Sequence, residues 1–210
     1  MTADAHIMTG LSRIGMLLRS ESWRQAEATG LTPTQTQILA YLVARGPARV
    51  GSIATEIAVT HPTASDAVAA LVRKGYVEKL PDPDDARAAR LHPTDSGKRL
   101  AGEVAVWPDA LLGAVEMLDE GERAAFLKGL TKMIGALQTR GTIPVQRMCV
   151  SCAHFRPHVH SDAATPHHCA FVDAAFGDAS LRLDCGDHVE ADASARLESW
   201  TRFIKEPVQV

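Results

Sequence analysis

Apolar residues recur every three or four positions through most of the first 140 residues, and chemistry that starts or stops helices bounds each stretch. Over 7–28, Ile7, Leu11, Ile14 and Leu18 share one face, widened by Met8 and Leu17, and Gly30 ends the run. Thr32-Pro33-Thr34-Gln35 opens a second helix, with Thr32 as cap, Pro33 at the first position and Gln35 closing a capping box. Its apolar face is Ile38, Leu39, Leu42 and Val43, and Gly46-Pro47 stops it. A short helix is predicted over 50–57, with Val50, Ile53, Ala54 and Ile57 inward. After a turn at Ala58-Val59-Thr60, another is predicted over 61–74, burying Ala64, Val68, Leu71 and Val72. Gly75 suits the left-handed position that follows a helix.

The pattern then changes. Tyr76–Leu80 and Ala88–His92 read as two short strands, joined by the polar turn Pro81-Asp82-Pro83-Asp84-Asp85, since each proline biases its predecessor away from helix. Thr94-Asp95-Ser96-Gly97 starts a long helix carrying Leu100, Val104, Leu111, Leu112 and Val115, with Pro108 expected to kink it near Val104–Trp107. Asp119-Glu120-Gly121-Glu122 is a second capping box, opening a helix with Phe126, Leu127, Leu130, Met133, Ile134 and Leu137 on one side. Gly141 and Pro144 mark the expected domain boundary. Residues 145–190 are rich in Cys, His, Asp and Pro and poor in apolar periodicity, so a core there is expected to need a staple. A last helix over 192–205 carries Leu197, Trp200, Phe203 and Ile204.

The predicted fold is mainly α. It comprises a winged helix-turn-helix with an α-helical dimerisation region over 1–140, a small Cys-rich metal-binding module over 145–190, and a helix and tail over 191–210. At 46% hydrophobic and 22% charged residues, the chain is ordinary for a globular protein, which excludes wholesale disorder and a coiled-coil rod. No apolar run approaches the ~18 residues of a membrane span. The first residues show neither a basic nor an apolar signal region, so a cytoplasmic protein without membrane contact is expected. The net charge of -3 resides in 141–210, and the balanced 1–140 segment can still bind DNA if its cations share a face.

Two helices, a tight turn and a hairpin form a winged helix-turn-helix plan, in which the second helix presents its N-terminal residues to the major groove. Those residues are His61, Thr63, Ser65 and Asp66. Arg73 and Lys74 at the far end of that helix join the candidate DNA-binding set. Arg87 at the wing tip can enter a narrow minor groove, and Asp85 can hold its guanidinium. Other chains pack a helix-turn-helix without binding DNA, in which case Thr63 and Ser65 are only cap and surface residues.

The residues Leu31-Thr32-Pro33-Thr34-Gln35, Ile53-Ala54, Pro62-Thr63-Ala64-Ser65, Leu71–Val77, Asp82–Arg87 and Leu91-His92-Pro93-Thr94-Asp95-Ser96-Gly97 resemble the MarR family of bacterial regulators, over about residues 6–140. The Asp-x-Arg wing and the Thr-x-x-Gly that follows are the most specific parts. The resemblance implies a homodimer with interlocked first and last helices, two recognition helices on a double-stranded DNA operator, and Arg87 as wing arginine with Asp85 its partner. Asp66, Ala86 and Pro108 depart from the family pattern. Trp107, beside Pro108, is a candidate to line a cleft for a small aromatic effector.

All four cysteines fall within 149–185, as Cys149-x2-Cys152-x16-Cys169-x15-Cys185, and six of the nine histidines lie between 154 and 188. Clustered cysteines in a cytosolic chain point to a metal site before disulfides. An iron-sulfur cluster and a Zn2+ ion each take four cysteines, and a metal-free thiol switch through Cys149 and Cys152 is the third reading. The two long gaps resemble the spacing of high-potential iron-sulfur proteins. Most of the histidines are expected in exposed loops. Four thiolates leave no open position for catalysis, so an enzyme is not expected. The composite reading is a dimeric repressor whose operator affinity is tuned by the cysteine module; the alternative is the same regulator with a purely structural zinc site, answering to a small molecule or a protein.

Overall fold

Helix α1 (Ala3–Thr29) starts on the Thr2 side chain and ends at Gly30, whose φ of 65° is the left-handed value that glycine adopts at least cost. Helix α2 (Pro33–Arg45) begins with the predicted Thr32/Gln35 capping box. Helices α3 (Val50–Glu56) and α4 (His61–Arg73) follow, then strands β1 (Val77–Asp82) and β2 (Asp85–Pro93), and helices α5 (Asp95–Val104), α6 (Asp109–Glu116) and α7 (Glu120–Thr139). Beyond them lie a 3-10 turn at Cys149–Ser151, strands β3 (Phe155–Arg156), β4 (His167–Cys169) and β5 (Ala174–Phe176), a 3-10 turn at Asp178–Ser180, and helix α8 (Ala193–Ile204). These coordinates are a computed structural model and describe residues 2–104 and 108–205. The chain divides into two units, Met1–Leu112 and Gly113–Val210.

The first unit is built around Ile38, Leu39 and Leu42 of α2, Ile53 of α3, Val68 and Leu71 of α4, and Leu91 of β2, all at most 1% exposed. Burying each such side chain is worth about 1.5–3 kcal/mol. β1 and β2 pair antiparallel from Val77↔Pro93 to Asp82↔Asp85, and Ala48 adds a bridge to Leu91. The hairpin turn is tighter than the predicted five-residue loop: the strands extend to Asp82 and Asp85, leaving Pro83 and Asp84 at the tip. The physical reason is the Asp82 side chain, which turns inward and is fully covered.

The end of α4 is fastened to the start of α5. Gly75, at φ 73°, leaves its carbonyl to the Thr94 hydroxyl at 2.7 Å and the Ser96 hydroxyl at 3.0 Å. The Thr94 N–H donates to the Tyr76 carbonyl at 3.0 Å, and the Thr94 hydroxyl accepts from the Gly97 N–H at 3.1 Å. A Cβ at Gly97 would lie 2.1 Å from the Tyr76 carbonyl oxygen. That close approach explains the glycine in Thr-x-x-Gly. The predicted kink near Val104–Trp107, and the effector cleft at Trp107, lie outside the described residues. Pro108 supplies the carbonyl that Leu111 and Leu112 N–H groups bond at the start of α6.

The second unit has a core of its own. Met148, Val150, Phe155, Leu181 and Phe203 are buried, with Leu127 and Ile134 of α7 and Trp200 of α8 packed against them. β4 is the central strand between β3 and β5. α7 therefore groups with the cysteine-containing segment, and the boundary expected at 141–144 is not where the contacts divide. His167, expected in an exposed loop, is fully buried. Its Nε2 meets Asp178 Oδ1 at 3.0 Å, and the His158 N–H donates to its Nδ1 at 3.3 Å. Burial lowers its pKa against the opposing pull of Asp178. Trp200 lies so close to Gly135 that an added Cβ would meet its ring at 2.4 Å.

Substituting Gly97 by alanine is expected to destabilise the first unit by about 1–3 kcal/mol through overpacking against the Tyr76 carbonyl, read as a lower denaturation midpoint. Gly135→Ala is expected to change the fluorescence of Trp200; an unaltered spectrum would contradict the packing described here.

Candidate functional site

The N-terminal end of α4 is held by Thr60, whose hydroxyl accepts from the Thr63 N–H at 3.3 Å and sits 2.7 Å from the Thr63 hydroxyl. The buried face, Ala64, Ala67, Val68 and Leu71, leaves His61, Thr63 and Asp66 exposed and Ser65 half-buried. Ser65 Oγ and His61 Nδ1 are 3.4 Å apart. Helical geometry alone thus places the predicted groove-facing residues on the outer side of α4. His61, Arg49, Lys79 and Ala88 line one shallow groove between the start of α4, the start of α3 and the wing.

Arg73 is exposed at the far end of the helix. Lys74, predicted with it, is instead occupied: its ammonium donates to the Gly30 carbonyl at 2.5 Å and to Gln35 Oε1 at 3.2 Å. It ties α4 to the ends of α1 and α2.

The wing is organised by a carboxylate that the sequence analysis did not single out. Asp82 Oδ2 accepts from Arg49 Nε at 2.7 Å and from Arg90 Nε at 2.9 Å, and its Oδ1 accepts from the Asp84 N–H at 2.9 Å. Arg90 also reaches Asp84 Oδ2 at 2.6 Å. Hydrogen bonding from Arg49 comes first among the causes that hold the Asp82 carboxyl far below the ordinary carboxylate range. Asp85 does not grip the guanidinium of Arg87 as expected. Its Oδ1 accepts from the Arg87 backbone N–H at 3.0 Å, and its Oδ2 lies 3.9 Å from Arg49. Asp85 is followed two residues later by a backbone donor, and this short-range bond forms without fixing a long side chain. The Arg87 side chain remains exposed. The signal for Asp82 is present in the sequence as one acidic residue among three in the turn; only burial distinguishes it.

The four cysteines are brought together. The 3-10 turn supplies Cys149 and Cys152, whose N–H donates to the Cys149 carbonyl at 2.9 Å. Cys169 closes β4 opposite Phe155 and Ala174. Cys185 sits on a loop held by Arg147, whose guanidinium donates to the Cys185 carbonyl at 2.9 Å through Nε and to the Gly186 carbonyl. All four line a single cavity of about 140 Å³ with Phe155, Phe171, Val172 and Phe176, and none forms a disulfide. Burial pushes the Cys149 thiol up, while the Arg182 N–H at 3.3 Å opposes it. His154 lines the same cavity. His188 bonds the Ser151 hydroxyl at 2.9 Å, and His168 pairs with Asp173 at 3.2 Å.

Because the folded state lowers the pKa of Asp82, the stability it contributes is fully present above the unfolded value of about 4 and is lost as pH falls towards the folded one. Asp82→Asn is therefore expected to be less stable than the parent at pH 7, with a gap that narrows by pH 3 in thermal denaturation.

Residues 29–88 match the family model described as MarR family. A Bacillus subtilis protein, the uncharacterised HTH-type transcriptional regulator YsmB, is 25% identical over 130 residues, covering 61% of this chain and 89% of its own. The structure of Staphylococcus aureus MepR in its DNA-binding conformation is similar at 25% identity and a TM-score of 0.55, over 63% of this chain and 98% of MepR. The S. aureus MepR–DNA complex aligns at 24% identity and a TM-score of 0.54, over 66% of this chain and 100% of that one, a likeness of fold. Among the described residues no helix is long and apolar enough to cross a membrane. The likeness to MarR-family regulators is therefore carried by residues 29–88, which run from the end of α1 through the helix-turn-helix into the wing.

Proposed function

We propose that the protein is a dimeric repressor that binds a double-stranded DNA operator through α4 and the wing, with a thiolate-bound inorganic group in its second unit tuning operator affinity. The observation that carries the DNA-binding half is the placement of His61, Thr63 and Asp66 on the exposed side of α4, beside a wing whose base is fixed by Asp82, Arg49 and Arg90. α4 is the recognition helix: its N-terminal residues meet base edges, where Thr63 and Ser65 can donate or accept and Asp66 can accept from a cytosine amino group. Arg87 extends, with its side chain exposed, from a hairpin whose base is held by Asp82, so its cation can reach a minor groove or a phosphate. Lys74 supports the helix from behind and does not contact DNA.

Dimerisation rests on uncovered apolar surface. Ile7, Met8, Ile14, Met16 and Leu17 of α1 are exposed within the chain, as are Phe126, Met133 and Leu137 of α7. A second copy covering these faces gives the two-fold arrangement that places two recognition helices on a pseudo-palindrome. Coupling the cysteine cavity to the operator requires only about 1–3 kcal/mol, which gives a 5–150-fold change in affinity.

Arg87→Ala is expected to weaken operator binding and to reduce the salt dependence by about one phosphate contact; unchanged affinity and slope would overturn the wing assignment. Lys74→Ala should instead lower stability while leaving the salt slope intact. Ile14→Glu should shift the protein from dimer to monomer in sedimentation, and a dimer of unchanged strength would remove α1 from the interface.

A further inference from the structure

The cavity ringed by the four cysteines has more room than one metal ion fills, and the described residues lining it form no group that could hold one. A tetrahedral zinc site holds each sulfur about 2.3 Å from one point, which draws the sulfurs to roughly 3.8 Å from each other. Among the described residues, no three His, Cys, Asp or Glu side chains converge in a manner that holds a single ion. Yet Cys149, Cys152, Cys169 and Cys185 line one space of about 140 Å³. A water-sized occupant needs only about 10–15 Å³ of such space.

A cubane of four irons and four sulfides meets both conditions. It is a compact body with four corners, each iron taking one thiolate from outside, so its ligands stand further apart than those of a single ion. We propose that these four cysteines bind a [4Fe–4S] cluster, with Arg182 setting its potential. Phe155, Phe171, Val172 and Phe176 supply apolar walls, which restrict water at the sulfides. Arg182 faces the thiolates twice: its backbone N–H donates to Cys149 Sγ at 3.3 Å and its Nη1 to Cys185 Sγ at 3.7 Å. A cation and hydrogen bonds at the ligating sulfurs stabilise the more negative, reduced cluster and raise its potential. Cluster uptake exchanges the ligands of a preassembled cluster for four cysteine thiolates; four protons leave, and the irons keep their oxidation states. The inference deepens the tuning role proposed above and rests on that reading only for its regulatory consequence.

The test uses the full-length chain under anaerobic conditions, with no DNA present, so that its failure is distinct from failure of the operator assignment. One arm supplies a synthetic thiolate-ligated [4Fe–4S] complex and the other zinc chloride, followed by gel filtration and analysis of iron, sulfide and zinc. About four irons and four sulfides per chain, with the broad visible absorption of thiolate-bound iron, are expected. A chain that retains one zinc and no iron overturns the proposal. Cys169→Ser and Cys185→Ser should each cut iron retention several-fold with Trp200 fluorescence preserved, and full retention in both would overturn the ligand set. Arg182→Ala leaves all four thiolates in place; it should keep its iron while its potential falls, with partial recovery in Arg182→Lys. An unchanged potential removes Arg182 from the proposed role.

Discussion

The carbonyls of Gly75 and Tyr76 lie where α4 stops and the wing begins, and the segment that starts α5 takes both. Thr94 bonds the first through its hydroxyl and the second through its N–H, while the absence of a side chain at Gly97 lets the Tyr76 carbonyl approach. Backbone acceptors left over at a helix end take partners from outside the helix. Here the partners also set the angle at which three elements leave one point. The exposed surface of α4, the hairpin beside it and helix α5 are positioned by this one junction.

The wing solves a second problem of the same kind. A hairpin with prolines at Pro81 and Pro83 loses backbone donors, and a two-stranded ribbon is marginal by itself. Asp82 compensates by drawing Arg49 from the start of α3 and Arg90 from β2 onto one covered carboxylate. The arrangement commits two cations to structure and leaves Arg87 exposed. Positive charge around α4 and the wing is thus divided between residues that hold the scaffold and residues that reach outward, and Lys74 belongs to the first group.

The second unit shows how a segment with little helical periodicity acquires order. Short strands and 3-10 turns put Phe155, Phe176 and Phe203 around the buried ring of His167. The cysteines gather on one cavity with Phe155 and Phe176 in its wall. Met148, Val150 and Phe203 supply core packing that the local sequence pattern concealed. Its core is therefore built from apolar packing, with no bond between the cysteines.

The sequence by itself determined the helices from α1 to α4 and the start of α7, because capping boxes, glycine stops and apolar spacing act within a few residues: Thr32/Gln35, Asp119/Glu122, Gly30 and Gly75 all stand where local chemistry puts them. It also placed His61, Thr63 and Asp66 on the outward side of α4, since helical periodicity fixes which positions remain once Val68 and Leu71 are buried. Tertiary structure decided the rest. Nothing local separates Asp82 from Asp84 or Asp85, or Lys74 from Arg73; only the arrival of Arg49, Arg90, Gly30 and Gln35 from elsewhere in the chain does so. Likewise, the place of α7 in the sequence points to the first unit, yet it groups with the second because its Leu127 and Ile134 find their apolar partners there. A side chain's role depends on what it meets, and for contacts between residues distant in sequence that is settled only when the chain has folded.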